Sequence, residues 1–109
     1  MAIEYKVLAQ SAPAATTDTD IYTVGSGKQA VVSTITIANR SSSAITYRIA
    51  VRPAGVTLAN EHYLAYDVAL AANDTAALTL GITLTATDVV TVYASTTDLS
   101  FGIFGSEIS

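Results

Sequence analysis

Apolar and polar residues alternate with a period of two along several short segments of this chain. Because successive side chains of a β-strand point to opposite faces of a sheet, this alternation predicts strands with one buried and one solvated face. Residues 45–52, 62–70 and 78–85 show the alternation over their whole length. The predicted buried faces are Ile45, Tyr47, Ile49 and Val51 in the first segment, Leu64, Tyr66, Val68 and Leu70 in the second, and Leu78, Leu80, Ile82 and Leu84 in the third.

Weaker alternation predicts five further strands, and turn-forming residues lie between consecutive strands of the chain. The Gly-Ser-Gly-Lys stretch at residues 25–28 predicts a hairpin turn and not a phosphate-binding loop, because the four-residue spacer between the glycines and a Ser or Thr after the lysine are missing. Pro13 and the Asn-Asp pair at residues 73–74 interrupt the alanine-rich stretches, so one short helical turn within residues 55–61 is the most we expect. The five further strands are predicted at residues 3–8, 21–24, 30–39, 89–95 and 99–104.

About eight short strands at spacings of roughly ten residues predict an all-β fold, a single antiparallel β-sandwich that is immunoglobulin-like or jelly-roll-like. A chain of 109 residues can bury one hydrophobic core, so we expect one domain overall. Within it, residues 1–18 are predicted to be an N-terminal strand or arm with a linking segment, and residues 19–109 the sandwich body. Residues 10–19 either cross between the sheets or link the arm to the body. The arm can pair with its own domain or with a neighbouring subunit.

The composition predicts a surface with few charges. Hydrophobic residues make up 50% of the chain, but nineteen of them are alanines, and sixteen threonines and ten serines accompany them. Charged residues contribute only 13%, against about 25% in an average soluble domain. We therefore expect outer sheet faces that are small, hydroxylated and nearly uncharged, which suits packing against other protein or against copies of the same chain.

Net charge and segment composition exclude several partners. The formal net charge is −4 and no run of Lys or Arg occurs, so neither nucleic acid nor an anionic membrane is expected as a partner. The N-terminal residues lack the basic and apolar regions of a secretory signal, and no apolar stretch approaches about 20 residues, so we expect synthesis in the cytoplasm. The absence of cysteine excludes disulfides and thiolate metal sites.

The sequence does not predict catalysis. The single histidine, His62, has no serine in a nucleophile-elbow context and is interpreted as a loop-end or cross-strand residue. Asp18 with Asp20, or Glu61 with Asp67, are nominal carboxylate pairs, but a substrate cleft would use much of the only core. We expect no enzyme activity, no cofactor and no metal. Calcium binding by Asp18, Asp20 and the turn aspartates remains an alternative to simple turn stabilisation.

Two features of the predicted strands carry polar or aromatic candidates for binding. Arg48 and Arg52 share the outward face of one strand, where they form either salt bridges within the domain or a contact to an acidic partner. Tyr63 and Tyr66, with nearby Asp67, could offer a platform for a sugar. Strict alternation along this segment would place the two rings on different faces, which argues against stacking by both.

The two ends of the chain carry apolar candidates for protein contact. If the preceding apolar residues of the last strand face inward, Phe104 points out of the sheet, and Ile108 lies beyond a glycine in a polar tail. Exposed apolar residues near a terminus suit docking onto another subunit. In the N-terminal arm, Ile3 and Tyr5 are the candidates for contact by strand exchange.

Five sequence blocks combine strand cores with turns and contain no chemical motif. They are residues 21–24 (Ile-Tyr-Thr-Val), 31–40, 47–55, 62–67 and 99–105. These blocks resemble those of small β-sandwich structural proteins of tailed bacteriophages, particularly aquatic ones, and the resemblance spans roughly residues 19–108. It implies a non-enzymatic virion component with no active site to carry over.

The resemblance and the neutral surface together predict a viral structural protein, a capsid decoration or cement protein that stabilises the particle through multivalent protein–protein contacts. Its expected partners are other virion proteins, namely the major capsid protein or tail proteins, and copies of itself in a homo-oligomer. Its expected location is the virion, after synthesis in the host cytoplasm. The alternatives are a small tail, baseplate or fibre-associated subunit, a host-glycan-binding module at the tail tip, and a calcium-dependent binding domain.

Overall fold

Nine strands packed as two sheets form a β-sandwich in the computed structural model, which describes residues 2–109. Met1, the first residue of the predicted 1–18 segment, lies outside the described residues. The predicted all-β sandwich is confirmed, with nine strands in place of about eight. The strands are β1 (Ile3–Ser11), β2 (Thr19–Thr23), β3 (Gln29–Asn39), β4 (Ile45–Arg52), β5 (Tyr63–Leu70), β6 (Thr75–Leu78), β7 (Ile82–Thr85), β8 (Val89–Ala94) and β9 (Leu99–Ile108).

The two sheets differ in size, and the chain crosses between them repeatedly. The five-stranded sheet has the order β1-β9-β3-β6, and β7 pairs with β3 beyond the end of β6. The four-stranded sheet has the order β2-β8-β4-β5, and all strand pairs of both sheets are antiparallel. Two single turns of 3₁₀ helix, Pro53–Gly55 and Asn60–His62, lie between β4 and β5. The segment between β1 and β2 crosses between the sheets, one of the two predicted alternatives.

The predicted hairpin at residues 25–28 is a tight turn but not a hairpin. The Lys28 N–H donates to the Gly25 carbonyl at 3.2 Å, and Gly27 adopts a φ of 73°, which glycine reaches without steric cost. This turn joins β2 to β3, which belong to different sheets. Turn chemistry predicts where the chain reverses, but not which sheet receives the next strand.

Inward-facing, mostly aliphatic side chains fill the space between the two sheets and form the core. The first half of β9 supplies three of them. Leu99, Phe101 and Ile103 are at most 2% exposed, and Phe104 points outward, as predicted. The strand continues to Ile108 instead of ending at residue 104, because pairing with β1 and β3 holds its polar second half in register. The largest fully buried side chains are Val24, Val32, Ile35, Ile37, Ile49, Val90, Val92, Leu99 and Ile103.

The predicted buried face of residues 62–70 is wrong for Leu64 and Tyr66 and correct for Leu70, because β5 contains two bulges against β4. The register steps from Ala50 opposite Tyr63 to Ile49 opposite Ala65, and then to Tyr47 opposite Val68. Each step inserts one extra residue on β5, which shifts the inward and outward positions. Leu64 and Tyr66 are exposed as a result, whereas Val68 lies opposite the buried Tyr47 and is exposed because β5 is the edge strand of its sheet.

The predicted strand at residues 78–85 is interrupted and forms β6 and β7. Both strands pair with β3, on either side of a bulge between Val32 and Thr34. Gly81 has a φ of 63° in the break, and Leu80, predicted to be buried, is half exposed. The alternation of this segment is real, but the bulge on β3 prevents one continuous ladder.

Candidate interaction surfaces

An apolar patch covers the outer face of the five-stranded sheet beside its β1 edge. Ile3 lies directly opposite Ile108, and Val7 lies opposite Phe104, so each pair shares the outward face. Tyr5 stands between them and is 85% exposed. The register therefore brings together all four apolar residues predicted for partner contact, and it adds two that the sequence analysis missed. The apolar patch is Ile3, Tyr5, Val7, Val31, Phe104 and Ile108.

The whole outer face around this patch carries no charged side chain among residues 2–109. Apart from Gln29, alternation from the patch along β9 and β3 leads to serine, threonine, alanine and glycine positions, and the outward residues of β6 and β7 are threonine and alanine. Gly102 gives the Phe104 ring room to lie flat, since a Cβ there would stand 2.8 Å from a ring carbon. The predicted small, hydroxylated surface thus exists on this sheet.

A charged cluster lies beneath the patch, on the inner side of the same edge. The Glu107 carboxylate is within 2.8 Å of the Lys6 ammonium and 3.3 Å of the Lys28 ammonium, and it accepts a 2.8 Å hydrogen bond from the Tyr22 hydroxyl. The hydrogen bonds from Lys6 and Tyr22 lower the pKa of Glu107 from 4.5 to about 2. Burial, with the neighbouring carboxylate, raises the pKa of Tyr22. These contacts tie β2 of one sheet to β9 of the other.

Arg48 lies on the opposite side of the sandwich, on the outer face of the four-stranded sheet. Its guanidinium stands 4.3 Å from the ring centre of Tyr66 and 4.2 Å from that of Tyr93, which places it between two aromatic rings. Its Nε donates a 2.6 Å hydrogen bond to Asp67. This hydrogen bond raises the pKa of Arg48 above its ordinary value.

Arg52 is also held by groups of its own domain. Its guanidinium donates to Asp20 at 2.8 Å, to the Thr91 hydroxyl at 3.1 Å, and to the carbonyls of Gly55 and Val56 at 3.1 and 3.0 Å. Both arginines therefore form the salt bridges within the domain that the sequence left open. They stand on the sheet opposite the apolar patch, so the predicted contact residues belong to two separate surfaces.

Tyr63 and Tyr66 meet on the outer face of the four-stranded sheet, contrary to the argument from strict alternation. Their ring centres are 4.9 Å apart and the rings are nearly perpendicular. The first bulge on β5, where Leu64 is inserted between the Tyr63–Ala50 and Ala65–Ile49 pairs, places both rings on one face. With Asn60 they line an open hollow of about 270 Å³. Such an aromatic and amide-lined hollow has the chemistry that binds a sugar ring.

His62 and Asp88, which the sequence left as candidates for catalysis or metal binding, form hydrogen bonds that stabilise turns. The Nδ1 atom of His62 accepts the Ala59 N–H at 2.9 Å, and Asp88 accepts the N–H groups of Ala54 and Thr85, each at 2.9 Å. No group of three or more His, Asp or Glu side chains gathers as a metal site within residues 2–109. The same residues include no helix with the length and apolar character needed to cross a bilayer.

Comparison of the chain with protein-family models, with curated proteins and with solved structures finds no match.

Proposed function

We propose that this protein is a non-enzymatic structural component of a tailed-bacteriophage particle, a capsid decoration protein that docks through the outer face of the five-stranded sheet. The observation that carries the proposal is the uncharged outer face with its apolar patch. Covering such a face removes apolar area from water without desolvating unpaired charges, which would cost several kcal/mol per ion. The resemblance of the strand blocks to phage sandwich proteins supplies the class of partner, the major capsid protein.

Docking of many copies fits the modest size of this surface. One patch offers a small contact, but a particle presents its sites in symmetric arrays, so copies that also contact each other hold one another in place and raise the occupancy. Arg48 and Arg52 are already engaged within the domain and lie on the far sheet. In this arrangement they face away from the capsid and stabilise the sandwich, although contact with a second particle protein on that side stays a prediction.

The direct test is localisation of the chain in an electron-microscopy map of the phage that carries its gene. Density for this sandwich on the capsid, with the five-stranded sheet facing the shell, is the expected result. Density at the tail, baseplate or fibres would replace the capsid assignment with a tail subunit. Absence of the chain from purified particles would overturn the proposal.

Surface variants test which face docks. Val7→Ser and Phe104→Ser should weaken binding to particles lacking the protein by at least about tenfold, the loss of roughly 1.4 kcal/mol. Val56→Ser and Leu64→Ser are matched controls, since both residues are exposed and apolar but outside the patch. A double Arg48→Ala, Arg52→Ala variant that weakens binding more than the patch variants would assign docking to the four-stranded sheet.

A second candidate function, glycan recognition at a tail tip, is favoured by the contact between Tyr63 and Tyr66. Aromatic rings beside amide and charged groups suit stacking on a sugar with hydrogen bonds to its hydroxyls. A glycan array probed with the purified protein tests this function. The function would be established if a glycan binds and this binding is abolished by Tyr66→Ala but unchanged by Tyr5→Ala. An array without any signal would rule out glycan recognition.

A further inference from the structure

The free edge of β1 differs from the other free sheet edges within residues 2–109. β1 pairs only with β9, and its segment Ile3–Val7 is regular until the bulge that follows Val7. The opposite edge of the same sheet is divided between β6 and β7. In the four-stranded sheet, β5 carries two bulges and the short β2 carries one. Broken and bulged edges resist pairing with another chain, whereas a regular edge permits it.

The backbone groups that β1 leaves free follow from its ladder with β9. Ala2 and Ser109 exchange both hydrogen bonds, at 3.0 and 2.9 Å. In an antiparallel ladder such mutual pairs recur at every second residue, so Glu4 and Lys6 also direct their N–H and C=O groups toward β9. The N–H and C=O groups of Ile3, Tyr5 and Val7 therefore point away from β9, out of the open edge of the sheet.

We infer that two copies of this chain pair through antiparallel β1 strands, with Tyr5 opposite Tyr5 of the second copy. This register pairs each outward backbone group of Ile3, Tyr5 and Val7 with an outward group of the partner strand, for roughly six N–H···O=C bonds. A two-fold axis perpendicular to the sheet relates the copies, so the same residues serve both sides.

The charges of β1 select this register over its neighbours. With Tyr5 opposite its own copy, Glu4 faces Lys6 of the second strand on both sides of the axis, and Ile3 faces Val7. Moving the partner by two residues in either direction places Glu4 against Glu4 or Lys6 against Lys6, and like charges directly opposite are destabilising. Moving it by one residue would set free backbone groups against groups already bonded to β9.

The paired edges would join two apolar patches into one surface across the axis. Ile3, Tyr5 and Val7 lie on the outer face, so their copies meet beside Phe104 and its copy. The inference goes beyond the proposed docking function, because it uses the strand edge and not the sheet face, and it holds whatever that face binds.

Sedimentation velocity over a range of concentrations tests the dimer. The unaltered chain should change from a monomer of 11.3 kDa to a dimer as concentration rises. Glu4→Lys should weaken the dimer by at least about tenfold through two Lys–Lys contacts. Glu61→Lys is the control, because it makes the same charge change at an exposed position outside β1. A monomer up to roughly 1 mM would overturn the inference.

A proline variant separates edge pairing from other modes of association. Tyr5→Pro removes an N–H that points away from β9, so the ladder within the monomer keeps its bonds while the dimer loses its central pair. The dimer should disappear and the far-ultraviolet spectrum should stay unchanged. A dimer that survives Tyr5→Pro with the fold intact would contradict pairing through β1.

Cysteine cross-linking tests the register, since the chain contains no cysteine. A mixture of Glu4→Cys and Lys6→Cys chains should oxidise to a mixed disulfide dimer, because directly opposite residues bring the Cα atoms within disulfide reach. Neither variant alone should cross-link. Self-linking of either one would reject the proposed register. These results are independent of particle binding, so the dimer and the docking function can fail separately.

Discussion

The Tyr22 hydroxyl donates a 2.8 Å hydrogen bond to the Glu107 carboxylate and thereby joins β2 of the four-stranded sheet to β9 of the five-stranded sheet. Glu107 is nearly buried, and Lys6 and Lys28 balance its charge from both sides. A carboxylate placed between two sheets is stable here because each of its oxygens has a charged or hydroxyl partner. The edge strands β1 and β2 are thus connected through Glu107 of β9, at the end of the sandwich where the aliphatic core stops.

The stability of the protein should fall in acid through Glu107. The pKa of this group is about 2 in the folded protein, against an ordinary 4.5. Its stabilising contribution is therefore complete above about pH 4.5 and is lost as the pH falls toward 2. Denaturant unfolding at pH 7 and pH 3 should show this loss in the unaltered chain and a much smaller one in Glu107→Gln. A matching acid dependence in both chains would contradict the assignment, and Glu61→Gln serves as an exposed control.

Removal of the Tyr22 hydroxyl should destabilise the sandwich at neutral pH. Tyr22→Phe keeps the ring but leaves Glu107 without one donor, and a hydrogen bond to a charged group contributes about 1.5–3 kcal/mol. We expect the midpoint of urea unfolding to fall by the corresponding amount with an unchanged slope. Tyr5→Phe provides the comparison, because the Tyr5 side chain is exposed. Equal midpoints for the two variants would show that the contact adds nothing.

Asn39 should be among the most sensitive polar residues of the fold. It is 3% exposed, and its amide nitrogen lies 2.9–3.1 Å from the carbonyl oxygens of Ser43, Leu70 and Ala71. Asn39→Ala leaves these acceptors unpaired, which costs about 1–3 kcal/mol for a buried group. Thermal unfolding should detect the loss. Asn60→Ala, at an exposed position, should change the free energy of unfolding by no more than about 0.5 kcal/mol.

Thr87 occupies a conformation that a β-branched residue adopts at a cost. Its φ is 69°, in the left-handed region that asparagine and glycine tolerate better. Thr87→Asn should therefore raise the free energy of unfolding by about 0.5–1 kcal/mol, or Tm by about 3–6 °C. Thr79→Asn is the control at an exposed position without a positive φ. A stabilisation shared by both variants would point to a cause other than backbone strain.

The cost of placing a side chain at residue 102 should depend on the Phe104 ring. A Cβ at residue 102 would approach a ring carbon and the Thr36 hydroxyl, each to 2.8 Å. Gly102→Ala is therefore expected to destabilise the protein by about 1–3 kcal/mol and to displace the ring. In a Phe104→Ala background the same change should cost at least about 1 kcal/mol less. Additive costs in the two backgrounds would show that ring and glycine are not coupled.

The pattern of residues along the chain is sufficient to predict the fold class and the composition of the outer faces. Alternation at residues 45–52 and along the first half of β9 predicted the inward residues correctly, because these strands run without bulges of their own. The scarcity of charge predicted a neutral outer face. Phe104 was predicted to point outward, and Ile3, Tyr5 and Ile108 were predicted only as residues of partner contact. Local periodicity suffices wherever one face of a regular strand meets the core.

Which outward residues share a surface depends on how distant strands pair. Ile3 and Tyr5 lie more than ninety positions from Phe104 and Ile108, and it is the β1–β9 register that gathers them on one sheet. The same structure separates them from Arg48, which packs between two tyrosines on the other sheet. A bulge adds one residue without a composition signal, so the meeting of Tyr63 with Tyr66 could not be read from alternation. Long-range pairing and register are set by packing between distant segments, and a local pattern does not contain them.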